Sequence, residues 1–295
     1  MHWIPHREKG TLVMERPLQM AASAISDFYR KSRPTIGTMQ DAERGYSQYI
    51  HFVQHTLRDC SATSFVLEVG CGVGWSCTFM ARTGLADRVI GVDLGATFIE
   101  RPVSADVAFV QADVFSLPFS TGSFDVVTSY QCLEHLPETE RALHEMLRVL
   151  RPGGTFIASG PNLLSPLTCV RDLFRFLLAN SPAGWFTRKP DELKGPFGNT
   201  LPERVGAFAR NIVLLIQKAW SSHVEFVPRT PDLRPPAHAD TDACYLLNPI
   251  DMRKYLSHLG LRILRYQDGG RLRLGRLGAL KGGTWVVARK PTVAE

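Results

Sequence analysis

The stretch Phe65–Gly84, FVLEVGCGVGWSCTFMARTG, runs a short apolar segment directly into three glycines, Gly70, Gly72 and Gly74. An apolar run bounded by glycine reads as a strand buried on both faces of a parallel sheet, and Trp75 to Arg82 supplies enough apolar positions for a following helix. The glycines therefore fall where a strand hands over to a helix. At such a junction glycine supplies unusual backbone angles and lets a ligand approach the main chain, while the N–H groups of the first helical turn face the same crevice.

The rhythm continues downstream. Strand signals recur in RVIGVDL (88–94), VAFVQADV (107–114), FDVVTSY (124–130) and GTFIASG (154–160). Between the last two, ETERALHEMLRVL (138–150) places Ala142, Leu143, Met146, Leu147 and Leu150 at helical spacing, and RPGG (151–154) stops that helix. A further helix over 248–260, with Pro249 early and Gly260 as its stop, leads to two final strands, LRILRYQ (261–267) and TWVVARK (284–290). The expected fold is α/β: a Rossmann-like, doubly wound, mostly parallel seven-stranded sheet with an antiparallel edge strand, plus a helical insertion. The implied organisation is an N-terminal helical cap over 1–60, amphipathic in 44–60, a core over 61–160, a helical insertion over 161–245, and a C-terminal part of the core over 246–295.

Open parallel sheets bind ligands at the carboxyl ends of their strands. Asp93 closes the second strand 23 positions after Gly70, where an acidic side chain accepts hydrogen bonds from ribose hydroxyls, so an adenosine-containing ligand is indicated. A nicotinamide dinucleotide fits poorly, because Trp75 stands where the G-x-G-x-x-G fingerprint needs its third glycine.

The ordered set VLEVGCGVG, VIGVDL, VQADVFSLPFSTGSFDVVTSYQCLEHL and LRVLRPGGTFIASGP resembles class I S-adenosylmethionine-dependent methyltransferases, of the type 11-like small-molecule branch, over roughly residues 60–162. The resemblance implies S-adenosyl-L-methionine as cofactor. Glu68 and the turn Gly70, Cys71, Gly72 and Gly74 would hold its methionine end. Asp93, with Leu94 beside it, would grip the ribose, Asp113 and Val114 would contact the adenine, and Gln131 would face the sulfonium. The residues alone leave alternatives: Glu68 as a structural cap or pair, Asp113 as a turn aspartate, Gln131 as an ordinary loop residue.

Such a cofactor needs little more from the protein than an aligned acceptor and excluded water. His135, just past the fourth strand, is the candidate general base, as a neutral imidazole taking a hydroxyl proton. Tyr130, Glu134, His223 and His238 are weaker candidates. HADTDAC (238–244) sets His238, Asp240, Asp242 and Cys244 at period two, as metal ligands on one strand face would be, but the resemblance calls for no metal and none is assigned.

The acceptor is read from what is absent and from the insertion. No NPPY-like turn follows the fourth strand, and Cys132 follows Gln131 instead of a proline, which disfavours nucleic-acid bases. The net charge is +6, with 8 Lys+Arg against 2 Asp+Glu in 261–295, so an RNA-directed enzyme remains a rival, as does a non-catalytic cofactor-binding protein. The basic, apolar stretches 168–186 and 204–220 read as a lid over an apolar or lipid-like acceptor, as a peripheral membrane contact, or as packing alone. The expected function is methyl transfer to a small molecule, foremost to a hydroxyl of a metabolite, sugar or lipid-like compound. The six cysteines form no C-x-x-C pair, and no run of about 18 apolar residues occurs, so a cytoplasmic protein in a reducing compartment is expected.

Overall fold

The computed structural model describes residues 7–8, 11–12, 16–31, 49, 51–57, 65–95, 106–180, 195–222, 224, 226–233, 240–266 and 283–292. Seven strands, β1 (Phe65–Val69), β2 (Arg88–Asp93), β3 (Val107–Gln111), β4 (Phe124–Tyr130), β5 (Leu150–Pro161), β6 (Arg262–Tyr266) and β7 (Gly283–Arg289), form one sheet in the order β3-β2-β1-β4-β5-β7-β6. Neighbours from β3 to β5 pair in parallel, whereas β7 runs antiparallel to both β5 and β6. The antiparallel strand thus belongs to the expected edge pair, but it is inserted between β5 and the outermost strand β6.

Alternate residues of the central strands feed two separate cores, which is why these strands read as unbroken apolar runs. Leu67, Val127, Phe156 and Val286 face one side, with Leu143 and Met146 of α3 (Thr139–Val149) and Met252 and Leu256 of α6 (Pro249–His258). Val66, Val126, Ile157 and Val287 face the other, with Cys77 and Met80 of α2 (Trp75–Arg82). Tyr49, Phe52, Val53 and Leu57 join this second core, so the helical segment 51–57 lies on that face, as its amphipathic pattern requires.

The turn RPGG differs from its expected role as a break before a strand beginning at Gly154. β5 begins at Leu150, which pairs with Phe124, and the next pair is Val126 with Thr155. The surplus residues of β5 bulge out, with Gly153 at φ +74, a value glycine adopts without steric cost.

Within 161–245 the described helices are α4 (Pro166–Ala179) and α5 (Leu201–Trp220). α4 starts where the Ser165 hydroxyl accepts from Thr168 N, and α5 where Thr200 and Glu203 form a capping box. Arg204, 2% exposed, pairs with the Asp172 carboxylate and stacks on the Phe176 ring at 4.6 Å, joining α5 to α4. Lys218 reaches α6 through a buried 2.8 Å ion pair with Asp251. Near the N-terminus, α1 (Arg16–Lys31) is a helix that the sequence reading did not delimit.

Removing one partner of a buried pair strands the other charge away from water. Lys218→Ala is expected to destabilise the chain by about 3–5 kcal/mol, measurable as a lower midpoint of urea unfolding. A change below about 1 kcal/mol would show that Asp251 is neutralised by other means.

Candidate active site

β1 is followed by three left-handed glycines at alternate positions, Gly70, Gly72 and Gly74, at φ +75, +53 and +82. Two of them serve close packing as well. A Cβ on Gly70 would lie 2.4 Å from Cys132 Sγ, and one on Gly74 would lie 2.2 Å from the Phe109 ring. On Gly72 a Cβ would meet nothing within 4 Å, so its Cα faces open space at the carboxyl end of the sheet. Here β1 lies between β2 and β4, the place where strand order reverses and open α/β sheets take their ligands.

Asp93, at the end of β2, spans the same opening. Its Oδ2 accepts from Gly72 N at 2.8 Å and its Oδ1 from Gly95 N at 2.9 Å, which fixes the carboxylate and leaves each oxygen with capacity for a further donor. Burial raises its pKa, while these backbone N–H groups work in the opposite direction. Leu94 O accepts from Gln111 Nε2 at 3.0 Å, and Asp113 caps the turn Val114–Ser116 by accepting from Phe115 N at 3.0 Å. Val114 itself is buried in the core, and Gln111, exposed beside Leu94, is a residue the sequence reading passed over.

Glu68 is placed differently from Asp93. It is 1% exposed, and its Oε2 accepts from Ser76 Oγ at 2.5 Å and Cys77 Sγ at 2.9 Å, its Oε1 from Tyr49 O–H at 3.3 Å. Burial raises its pKa against those three donors. The carboxylate is spent on the protein, beneath the glycine turn. Gln131 stands at φ +51 with its side chain exposed and its N–H donating to Ser159 O at 2.8 Å. A non-glycine residue in that region costs about 1 kcal/mol, and such positions cluster at functional sites.

Past Gln131, Cys132 packs on Gly70 and leads into the short turn Leu133–His135. His135 sits between two carboxylates, with Nε2 at 3.5 Å from Glu134 Oε1 and Nδ1 at 3.3 Å from Asp242 Oδ1. The second Asp242 oxygen accepts from Tyr29 O–H, and the Tyr29 ring meets the imidazole edge-on at 5.8 Å. Burial works to lower the His135 pKa, but Glu134 and Asp242 outweigh it and push it up to about 9. Burial pushes Glu134 up to about 7. The surroundings thus favour imidazolium over the neutral base expected from sequence.

Of the four residues in HADTDAC, Asp240 and Asp242 reach this chamber, but on a turn rather than on a strand face. The Cys244 thiol donates to His135 O at 3.0 Å. His238 and His223 lie outside the described residues, as does 267–282 of the basic C-terminal segment. Tyr130 stacks on Tyr49 with ring centroids 4.3 Å apart. Tyr29 carried no local signal, since its role depends on how α1 docks.

A glycine turn at β1 with an acidic residue at the end of β2 defines the class: a Rossmann-like fold built to hold an adenosine-containing ligand. Comparison with known proteins makes this specific. Residues 67–158 match the methyltransferase domain family, which supports a class I S-adenosylmethionine-dependent methyltransferase domain over this segment. The chain is 29% identical over 160 residues to demethylmenaquinone methyltransferase of Lactococcus lactis, covering 52% of this chain and 61% of that protein. It is 41% identical over 96 residues to fatty-acid O-methyltransferase of Mycolicibacterium smegmatis, covering 31% of this chain and 35% of that protein. These alignments therefore span less than two thirds of the relatives' length. Among solved structures, magnesium protoporphyrin IX methyltransferase from Synechocystis PCC 6803 with bound SAH aligns with a TM-score of 0.49 and 15% identity, over 93% of this chain and 98% of that one.

Replacing Asp93 by Ala removes a pre-positioned acceptor while leaving the strands intact. Its affinity for S-adenosylhomocysteine is expected to fall by about 1.5–3 kcal/mol in calorimetry, with an unchanged circular dichroism spectrum. An unaltered affinity would exclude the carboxylate from the ribose site.

Proposed function

We propose that the chain is an S-adenosylmethionine-dependent methyltransferase acting on a small organic acceptor, foremost at a hydroxyl oxygen. The observation that carries this reading is the Asp93 carboxylate held by Gly72 N and Gly95 N beside the open face of Gly72. In this assignment Gly70, Cys71, Gly72 and Gly74 hold the methionine end by their main chain, and Asp93 and Leu94 hold the ribose. Asp113 and Val114 border the adenine, and Gln131 borders the sulfonium. Glu68 acts from beneath, by holding α2 and Tyr49 against β1.

Bound there, S-adenosylmethionine supplies an electrophilic methyl group. What remains for the chain is to align the acceptor and exclude water. His135 is the ionisable group on the acceptor side. Its proton is held by Glu134 and Asp242, so its first contribution is to anchor an electron-rich acceptor, and it takes a proton only after losing its own.

The division into a cap over 1–60, a core over 61–160, an insertion over 161–245 and a closing segment over 246–295 assigns acceptor binding to the cap and insertion. On α4, Leu167, Val170, Phe174, Leu177 and Leu178 are all exposed and recur at helical spacing, flanked by Arg171 and Arg175. On α5, Trp220 is 87% exposed. Apolar faces of this kind favour an apolar acceptor or contact with an anionic lipid surface. Among the described residues no helix is long and apolar enough to cross a membrane. Relatives named for a fatty acid and for demethylmenaquinone support a small organic acceptor.

Calorimetric titration with S-adenosylmethionine and S-adenosylhomocysteine, with NAD as control, tests the cofactor. Binding of the first two alone is expected. Transfer of labelled methyl groups to hydroxylated apolar compounds, and not to RNA, tests the acceptor class. Binding of NAD alone, or transfer to RNA alone, would overturn the respective part.

A further inference from the structure

Glu134 is a buried carboxylate left without a hydrogen-bond donor. It is 0% exposed, and neither carboxylate oxygen makes a hydrogen bond among the described residues. An ionised carboxylate taken out of water costs several kcal/mol unless it is paired or coordinates a metal. The His135 imidazole is beside it at 3.5 Å, and the Asp240 carboxylate closes a third side. One ligand atom from each of Glu134, His135 and Asp240 lies within 4.8 Å of the others.

One further observation points to a cation. The His135 Nδ1 faces Asp242 Oδ1 at 3.3 Å, and Asp242 is itself held by Tyr29. A carboxylate behind the imidazole is the usual arrangement that orients a metal-ligating histidine. The chamber's charge agrees: three carboxylates, Glu134, Asp240 and Asp242, gather around His135, while the guanidinium of Arg229 donates to the Asp240 carbonyl at 2.8 Å.

We propose that Glu134, His135 and Asp240 hold a divalent cation, which takes the place of the proton on His135 Nε2 while Asp242 orients the imidazole, and that the open coordination positions receive an oxygen of the acceptor. Ligands bonded at about 2.0–2.2 Å to one ion lie no more than about 4.4 Å apart, so any pair near the outer end of the 4.8 Å range draws together on binding. A mixed set of two carboxylates and one imidazole suits Mn2+ or Zn2+ better than Mg2+ or Ca2+, and three protein ligands leave positions open. Cys132 joins this turn to Gly70, which puts the cation beside the cofactor crevice. This use of the ion rests on the methyltransferase reading, whereas its binding does not.

The test uses the full chain, stripped with a chelator and titrated with Mn2+ while electron paramagnetic resonance reports the free ion. S-adenosylhomocysteine binding is measured by calorimetry on the same samples. One bound Mn2+ per chain is expected, displaced by Zn2+, with affinity reduced at least about tenfold in Asp240→Asn and His135→Gln and about tenfold in Asp242→Asn. Circular dichroism confirms that each variant is folded, and the substitution of Asp240, which is only partly buried, keeps the test open should the His135 variant not fold. A wild-type chain that binds S-adenosylhomocysteine but no Mn2+ overturns the cation and leaves the methyltransferase reading intact. Mn2+ binding without S-adenosylhomocysteine binding does the reverse. An affinity for Mn2+ that is unchanged in all three variants places the ion elsewhere and overturns the site.

Discussion

The buried carboxylate of Glu68 is the joint on which the functional end of the sheet depends. It takes donors from Ser76 and Cys77 at the start of α2 and from Tyr49 of the N-terminal helical segment, and Tyr49 in turn lies 2.8 Å from Thr128 of β4. A buried charge is tolerable only when such donors are all in place. Satisfying it fixes where α2 leaves the sheet, and the turn Gly70–Gly74 has to bridge the short gap between the two. The left-handed glycines follow from that geometry, and the opening at Gly72 is what remains once Cys132 and Phe109 have filled the space beside its neighbours.

The two halves of the site are built on different principles. The proposed cofactor side is made mainly of main chain and one aspartate, all within a segment that folds locally around β1 and β2. The proposed acceptor side is made of side chains from distant places: Tyr29 of α1, the turn Leu133–His135, Arg229, and the turn bearing Asp240 and Asp242. The first resists variation because backbone geometry leaves few substitutes. The second can change its chemistry by changing a few side chains on an unchanged sheet, which is how one fold serves many acceptors.

Much of the crevice at the glycine turn was legible in sequence because its signals are local. A strand running into glycines, and an aspartate at the end of the next strand, need no tertiary knowledge to be read. Glu68 shows the limit of that reading: its place next to the glycines suggests a ligand contact, yet a residue's neighbours in sequence do not reveal which face of a strand it takes. RPGG shows another. Proline and glycine signal a helix end correctly, but they do not say whether the following strand starts before or after them, because a bulge can absorb the surplus.

The sequence by itself determined the order of strands and helices, the parallel core with its two apolar faces, the glycine turn and the placement of Asp93, since each follows from periodicity and backbone stereochemistry within a short window. Only the tertiary structure decided that β7 slips between β5 and β6, that Glu68 serves the protein, and that Glu134, His135, Asp240, Asp242 and Tyr29 share one chamber. Those outcomes depend on contacts between residues up to 213 positions apart, and such contacts are set by which faces pack together, a property no local pattern records.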